Sequence, residues 1–141
     1  VTLGNGIFHR VENGTEYIYR SVFMSQAIYK YQLINASGNY DLKFISEIGI
    51  NSGPDNIETD EKGNLYVAGH PSTWKFLRHA KSSENNSPTQ IFTIDENLKV
   101  KEIYANSGEE ISAGSTAVPF ENKLFISQVF EDFLLCCDLE K

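Results

Sequence analysis

The feature that most constrains this chain is a turn that recurs. Asp60-Glu61-Lys62-Gly63-Asn64-Leu65-Tyr66-Val67 reads as a polar turn feeding an aromatic and β-branched strand, with Gly63 supplying a left-handed backbone position. Val11-Glu12-Asn13-Gly14-Thr15-Glu16-Tyr17-Ile18 is a degenerate echo, and Phe120-Glu121-Asn122-Lys123-Leu124-Phe125-Ile126 is another. The copies begin about 50 residues apart, the spacing of a unit made of four short strands arranged radially. On this count the 141 residues hold about three four-stranded blades of a β-propeller.

The segments between turns agree. Glu16–Phe23, Gln26–Leu33, Leu42–Ile48, Asn64–Ala68, Trp74–His79, Gln90–Ile94, Val100–Tyr104, Lys123–Gln128 and Phe133–Leu139 are short runs of period two, bounded by Gly, Asn, Asp and Pro, and each is expected as a strand. No stretch of helical period is long enough to predict a helix, so the expected fold class is all-β. A propeller closes by burying every blade between two others, and about 4–8 blades make the ring. Three blades leave two apolar faces open and need a partner, most simply more of the same polypeptide. A β-sandwich would need none and is the competing architecture.

Composition narrows function by exclusion. Hydrophobic residues make up 40% of the chain and aromatic residues 12%, enough for a core. The apolar runs fall far short of the ~20 residues that a membrane-spanning helix requires. With 19 acidic against 12 basic residues the net charge is -7. Nucleic acid, which is held by Lys and Arg on phosphates, is not an expected partner. An acidic balance suits a cation, and it also serves solubility alone. Val1-Thr2-Leu3-Gly4 carries no leader pattern and no initiator Met, so a processed chain or a fragment is expected. Asn13-Gly14-Thr15, Asn35-Ala36-Ser37 and Asn85-Asn86-Ser87 fit the N-glycosylation pattern, a hint of the secretory route over a cytoplasmic one. Cys136 and Cys137 are adjacent, an arrangement that rarely lets two cysteines pair with each other. Without CxxC spacing or a nearby His they do not suggest zinc. They are either buried thiols, or one pairs with a cysteine outside this chain.

Three segments carry chemistry. In Ser52-Gly53-Pro54-Asp55-Asn56-Ile57, Pro54 fixes the backbone ahead of a charged and a neutral oxygen donor at the entrance to a strand. Calcium takes about 6–8 such oxygens, although Pro-Asp-Asn is also a good turn tripeptide. In Leu3-Gly4-Asn5-Gly6-Ile7 an Asn stands between two glycines about one blade earlier. It is either a plain turn or a ligand meeting Asp55 and Asn56 near a common axis. In Val67-Ala68-Gly69-His70-Pro71 a strand ends on a histidine, which either caps the strand or moves protons near neutral pH.

In order and spacing, these segments resemble the paraoxonase/arylesterase family of calcium-dependent six-bladed propellers, along nearly the whole chain. Gly4-Asn5-Gly6-Ile7 is similar to its Asn-Gly-Ile segment, Gly53-Pro54-Asp55-Asn56-Ile57 to its Asp-Asn segment, and Asn64 through Pro71 to its strand ending in Gly-x-His-Pro. Glu102 through Gly108, Gly114-Ser115-Thr116-Ala117-Val118 and Ser127-Gln128-Val129-Phe130 are similar to three more. The resemblance implies that residues 1–141 are the C-terminal half of one propeller domain whose N-terminal half is absent from this chain. It implies that Asn5, Asp55 and Asn56 ligate Ca2+ with a Glu and an Asn from the absent half, and that His70 stands in the active-site wall. Thr116, Val129 and Phe130 would line an apolar pocket. Cys136 would close the ring by a disulfide to an N-terminal cysteine, whereas Cys137 has no counterpart. The implied activity is calcium-dependent hydrolysis of lactones and aryl esters, with lipid or membrane-surface association through the absent half. Ser72-Thr73-Trp74 departs from the family's Asn-(Gly/Pro)-Met, which bears on pocket shape. The alternatives are a non-catalytic propeller that binds a ligand or protein, and a gluconolactonase-like sugar-lactone hydrolase. The second would want polar residues where Val129 and Phe130 stand.

Overall fold

The computed structural model describes residues 3–139. Eleven strands and one α-helix follow the order β1 (Gly4–Glu12), β2 (Thr15–Val22), β3 (Ala27–Ala36), β4 (Asn39–Gly49), β5 (Gly53–Thr59), β6 (Leu65–His70), α1 (Thr73–His79), β7 (Thr89–Ile94), β8 (Val100–Asn106), β9 (Gly114–Phe120), β10 (Lys123–Gln128) and β11 (Leu135–Asp138). They form three antiparallel sheets in the orders β1-β2-β3-β4, β5-β6-β7-β8 and β11-β10-β9. The all-β expectation holds. Two sheets have four strands and the third has three among the described residues.

Each recurring turn is the first hairpin of its sheet. Asn13 and Gly14 join β1 to β2 with φ of 49° and 79°, the doubly positive pair that a two-residue hairpin of right-handed twist needs. Gly63 at φ 84° turns β5 into β6, and Glu121 at φ 55° turns β9 into β10. The chain repeats its turn because it repeats its blade.

Period two also explains how the middle sheet serves two cores. Every residue of β6 is buried. Leu65 and Val67 pack with Tyr19, Ile28, Ile48, Ile57, Phe92 and Ile94 between the first and second sheets. Tyr66 and Ala68 point the other way, to Ile91, Ile111, Ala117, Leu124 and Ile126 of the second and third. Burying one such Leu or Ile contributes about 1.5–3 kcal/mol. At the two ends of the stack nothing covers the apolar residues. Ile7, Val11, Leu42 and Phe44 are exposed on the first sheet, and Val118 and Phe120 on the third. Open faces of this kind are what a partial propeller presents.

At the hairpin end of the first sheet, Glu12 collects four hydrogen bonds. Its Oε1 accepts from Arg10 Nε at 2.9 Å, Arg10 Nη2 at 2.6 Å and the Tyr19 hydroxyl, and its Oε2 accepts from Lys30 Nζ at 2.6 Å. Arg10 Nη1 continues to the Gly63 carbonyl and so ties the first blade to the second. Burial pushes the Glu12 carboxyl up, but the hydrogen bonds from Lys30, Tyr19 and Arg10 outweigh it and hold the group at about 2.

Three expectations are corrected. Trp74–His79 is not a strand: Thr73–His79 is an α-helix. Trp74 and Phe76 mimic period two, but Pro71 ends β6, the Ser72 hydroxyl caps the helix by accepting from Lys75 N at 3.3 Å, and the residues that turn inward, Phe76 and His79, are three apart. Gly4-Asn5-Gly6 is not a turn but the start of β1. The last strand is the shorter Leu135–Asp138 rather than Phe133–Leu139.

Candidate active site on the inner-strand bulges

The first strands of the three sheets stand side by side, β5 packing against β1 on one flank and β9 on the other. Each loses its register at the same end. Between β1 and β2 the pairing jumps from Gly4↔Val22 to Ile7↔Arg20, so Asn5 and Gly6 share one partner position, Ser21. Between β5 and β6 it jumps from Pro54↔Gly69 to Ile57↔Val67, so Asp55 and Asn56 share Ala68. Between β9 and β10 it jumps from Gly114↔Gln128 to Thr116↔Ser127, leaving Ser115 as the extra residue. A bulge unpairs the ladder and re-aims side chains, and bulges concentrate beside active sites. The sequence-predicted ligands Asn5, Asp55 and Asn56 occupy two of these three bulges.

The bulges touch. A Cβ at Gly6 would lie 2.5 Å from the Asp55 carbonyl oxygen and 2.8 Å from Asn56 Cα, so only a glycine lets β1 approach this closely. Asn56 Nδ2 donates to the Ser115 carbonyl and to Thr116 Oγ1, both at 3.0 Å, which ties the second bulge to the third. With both amide hydrogens committed, Oδ1 is the atom of Asn56 that can accept or ligate. Asn5 is exposed, whereas Asp55 is 6% exposed.

Behind the bulges lies a dry wall. His70, at the end of β6 and 2% exposed, meets Asp55 Oδ2 through Nε2 at 3.0 Å. A carboxylate only accepts, so Nε2 carries the proton, and Nδ1 is buried with no partner among the described residues. The imidazole lies between Phe23 (ring centroids 6.0 Å apart) and Phe76 (4.4 Å). Phe76 in turn meets Phe130 at 5.9 Å, and Phe130 meets the ring of His79 at 5.3 Å. His79 Nδ1 lies 2.7 Å from the Asn85 carbonyl. Val129 and Phe130 are half exposed in the loop after β10.

Of the sequence-predicted site residues, Asn5, Asp55, Asn56, Thr116 and His70 thus share one end of the inner strands, and Phe130 joins them through Phe76. Phe76 and His79 escaped sequence reading because helix α1 was not foreseen, and Phe23 was read only as the end of a strand. The signal was there in the capping Ser72 after His70-Pro71 and the three-residue step from Phe76 to His79. Cys136 is exposed and Cys137 half-buried on opposite faces of β11, both as free thiols. Asn13 and Asn35 sit exposed at hairpin tips, whereas Asn85 is half-buried and its Oδ1 accepts from Arg78 Nη2 at 2.6 Å. A groove lies elsewhere, at the hairpin end between the second and third sheets, lined by Asp60, Lys62, Lys101 and Phe120.

Among the described residues no three His, Cys, Asp or Glu side chains converge as a metal cluster. The donors at the bulges are instead one carboxylate and two amides. That is a hard-oxygen set, which fits calcium better than zinc, and it fills at most half of the usual shell of about 6–8 oxygens.

Comparison with known proteins shows the family. The family model described as Arylesterase matches residues 1–139. Serum paraoxonase/arylesterase 1 of Homo sapiens is 28% identical over 137 residues, which cover 94% of this chain and 37% of that protein. Mechanosensory abnormality protein 6 of Caenorhabditis elegans is 27% identical over 132 residues, 86% of this chain and 34% of that protein. Serum paraoxonase/lactonase 3 of Oryctolagus cuniculus is 24% identical over 103 residues, 70% of this chain and 28% of that protein. The chain spans roughly a third of the length of the curated relatives it matches.

Proposed function

Because this chain belongs to the arylesterase family, we propose that it is part of a calcium-dependent hydrolase of lactones and aryl esters, complete only with polypeptide beyond these residues. The family itself speaks for ester hydrolysis. The observation that supports the finer reading is the meeting of the Asn5, Asp55–Asn56 and Ser115 bulges around one buried carboxylate.

Asn5, Asp55 and Asn56 would hold the ion, with the rest of its shell from elsewhere in the protein. When bound, calcium would supply a Lewis acid for the ester carbonyl and a counter-charge for the oxyanion. The remaining work falls to the chain's own groups. His70 keeps its Nε2 proton on Asp55, which leaves the buried, unpaired Nδ1 lone pair to take a proton from a water admitted with the substrate. Thr116 Oγ1 accepts from Asn56, which leaves its hydroxyl hydrogen to donate to a bound ester. Val129 and Phe130 would receive the apolar acyl or aryl part and keep water out.

The same reading carries its companions as proposals: a secretory route, glycans at the exposed hairpin asparagines Asn13 and Asn35, and a disulfide from Cys136 to a cysteine outside the chain. The decisive assay gives the intact protein a lactone and an aryl ester, with and without a chelator. Chelator-sensitive turnover of either supports the reading, and turnover unchanged by chelation sinks the calcium part of it. Residues 1–141 alone should bind calcium weakly and turn nothing over, since three oxygens half-fill the shell. A second reading, a propeller that binds a ligand or protein without catalysis, draws on the near-equal similarity to Mechanosensory abnormality protein 6. An intact protein that binds calcium and turns over neither ester class would favour it.

A further inference from the structure

We propose that Phe76 is a positioning residue for His70: by lying across the imidazole it keeps Nε2 on Asp55 and Nδ1 free. This rests on the place proposed above for His70 beside Asp55 in the site, and the geometry of the two rings about the imidazole carries it. His70 has one hydrogen bond to fix it, the 3.0 Å contact to Asp55 Oδ2. One bond leaves an imidazole free to swing about it, and bulk water would compete for both partners. Two aromatic rings prevent this. Phe23 is anchored on one side, its backbone N–H donating to the Leu3 carbonyl at 3.0 Å and its ring filling the place of a Gly53 side chain. Phe76 lies on the other, 4.4 Å from the His70 ring centroid and tilted by 48°.

The chain delivers Phe76 by short geometry. His70 ends β6, Pro71 stops the strand, and α1 begins at Thr73. A helical side chain covers the turn on the N-terminal side of its own Cα, so Phe76 folds back over His70. The helix is held at both ends. Phe76 N donates to the Ser72 carbonyl at 3.0 Å. At the other end His79 Nδ1 meets the Asn85 carbonyl at 2.7 Å, and Arg78 Nη2 donates to Asn85 Oδ1 at 2.6 Å. A seven-residue helix does not persist alone, and these clamps have the consequence of fixing one ring. Leu77, its neighbour, is exposed and bears on nothing at the site.

The test uses the intact protein with Phe76→Leu, which keeps the apolar bulk of the helix, Phe76→Tyr, which keeps the ring, and Leu77→Ala as the control. Phe76→Leu should lower kcat by up to about 100-fold, the effect of a displaced catalytic group, while KM moves less than about threefold. Phe76→Tyr should restore most of the rate, and Leu77→Ala should change neither constant. A second readout needs no turnover. In protein labelled with 15N-histidine, the His70 Nε2–H signal should be protected from water in the wild type and Phe76→Tyr and lost to exchange in Phe76→Leu. A protected signal in Phe76→Leu, or a change in KM alone, overturns the positioning role. Absence of ester turnover in the wild type would instead overturn the proposed function, with the exchange measurement still deciding what Phe76 does.

Discussion

Two carboxylates stand at opposite ends of the inner strands, and they are treated differently. Glu12, at the hairpin end of β1, has four donors from Arg10, Tyr19 and Lys30, three of them on cationic groups. Its charge is neutralised by the chain itself, and it holds the Arg10 side chain whose Nη1 reaches the Gly63 carbonyl of the next blade. Asp55, at the bulge end of β5, is more deeply buried and, among the described residues, has one side-chain partner, His70, with no Lys or Arg paired to it. A buried charge answered by its own polypeptide serves structure. One with a single side-chain partner fits the ion-holding role proposed above for Asp55. The backbone repeats the contrast: the ladder between β1 and β2 is regular near Glu12 and broken at Asn5.

Five experiments break or sharpen this contrast. The largest effect is expected at Asp55. Asp55→Asn in the intact protein should lower kcat/KM at least about 100-fold with no loss of Tm, since the amide oxygen still accepts from His70. A large fall in Tm with activity preserved would make Asp55 structural after all. Gly6→Ala should cost both properties, because its Cβ meets backbone rather than a movable side chain. Overpacking of this kind costs about 1–3 kcal/mol, and thermal denaturation together with the esterase assay should report the joint loss. Glu12→Ala should cost about 2 kcal/mol, allowing for the partial exposure of the group, with activity per folded molecule unchanged.

The same carboxylate sets an acid limb. Glu12 is held at about 2 when folded, against an ordinary value of 4.5. Its contribution is complete above about pH 4.5 and is lost as pH falls from there towards 2. Denaturant titrations across that window should be steeper in pH for the wild type than for Glu12→Gln. The smallest effect belongs to Lys123→Ala. Its contact with Asp138 is exposed on the third sheet, and Tm should not move.

Much of the fold was legible because it is periodic. The Asn13-Gly14 and Gly63 turns and the short period-two runs between turns announce hairpins and an all-β class. The groups at the bulges were legible as types, a carboxylate, two amides and a histidine among prolines and glycines, though each segment reads equally as a turn or a strand end. Helix α1 was not legible. Over seven residues the periods 2 and 3.6 produce overlapping patterns, and a cap worth about 1 kcal/mol decides between them. The bulges were hidden for a related reason. Register is a relation between two strands, and Asn5-Gly6 reads alone as a turn.

By itself, then, the order of amino acids determined the hairpin repeat, the all-β class and the inventory of oxygen and imidazole groups, because each depends on neighbours within a few residues. Only the tertiary structure decided that Gly6 touches Asp55, that Asn56 reaches Ser115 and Thr116, and that Phe76 covers His70. The first two of these contacts join blades about 50 and 60 residues apart in the chain, where no local pattern carries information and packing alone sets what meets.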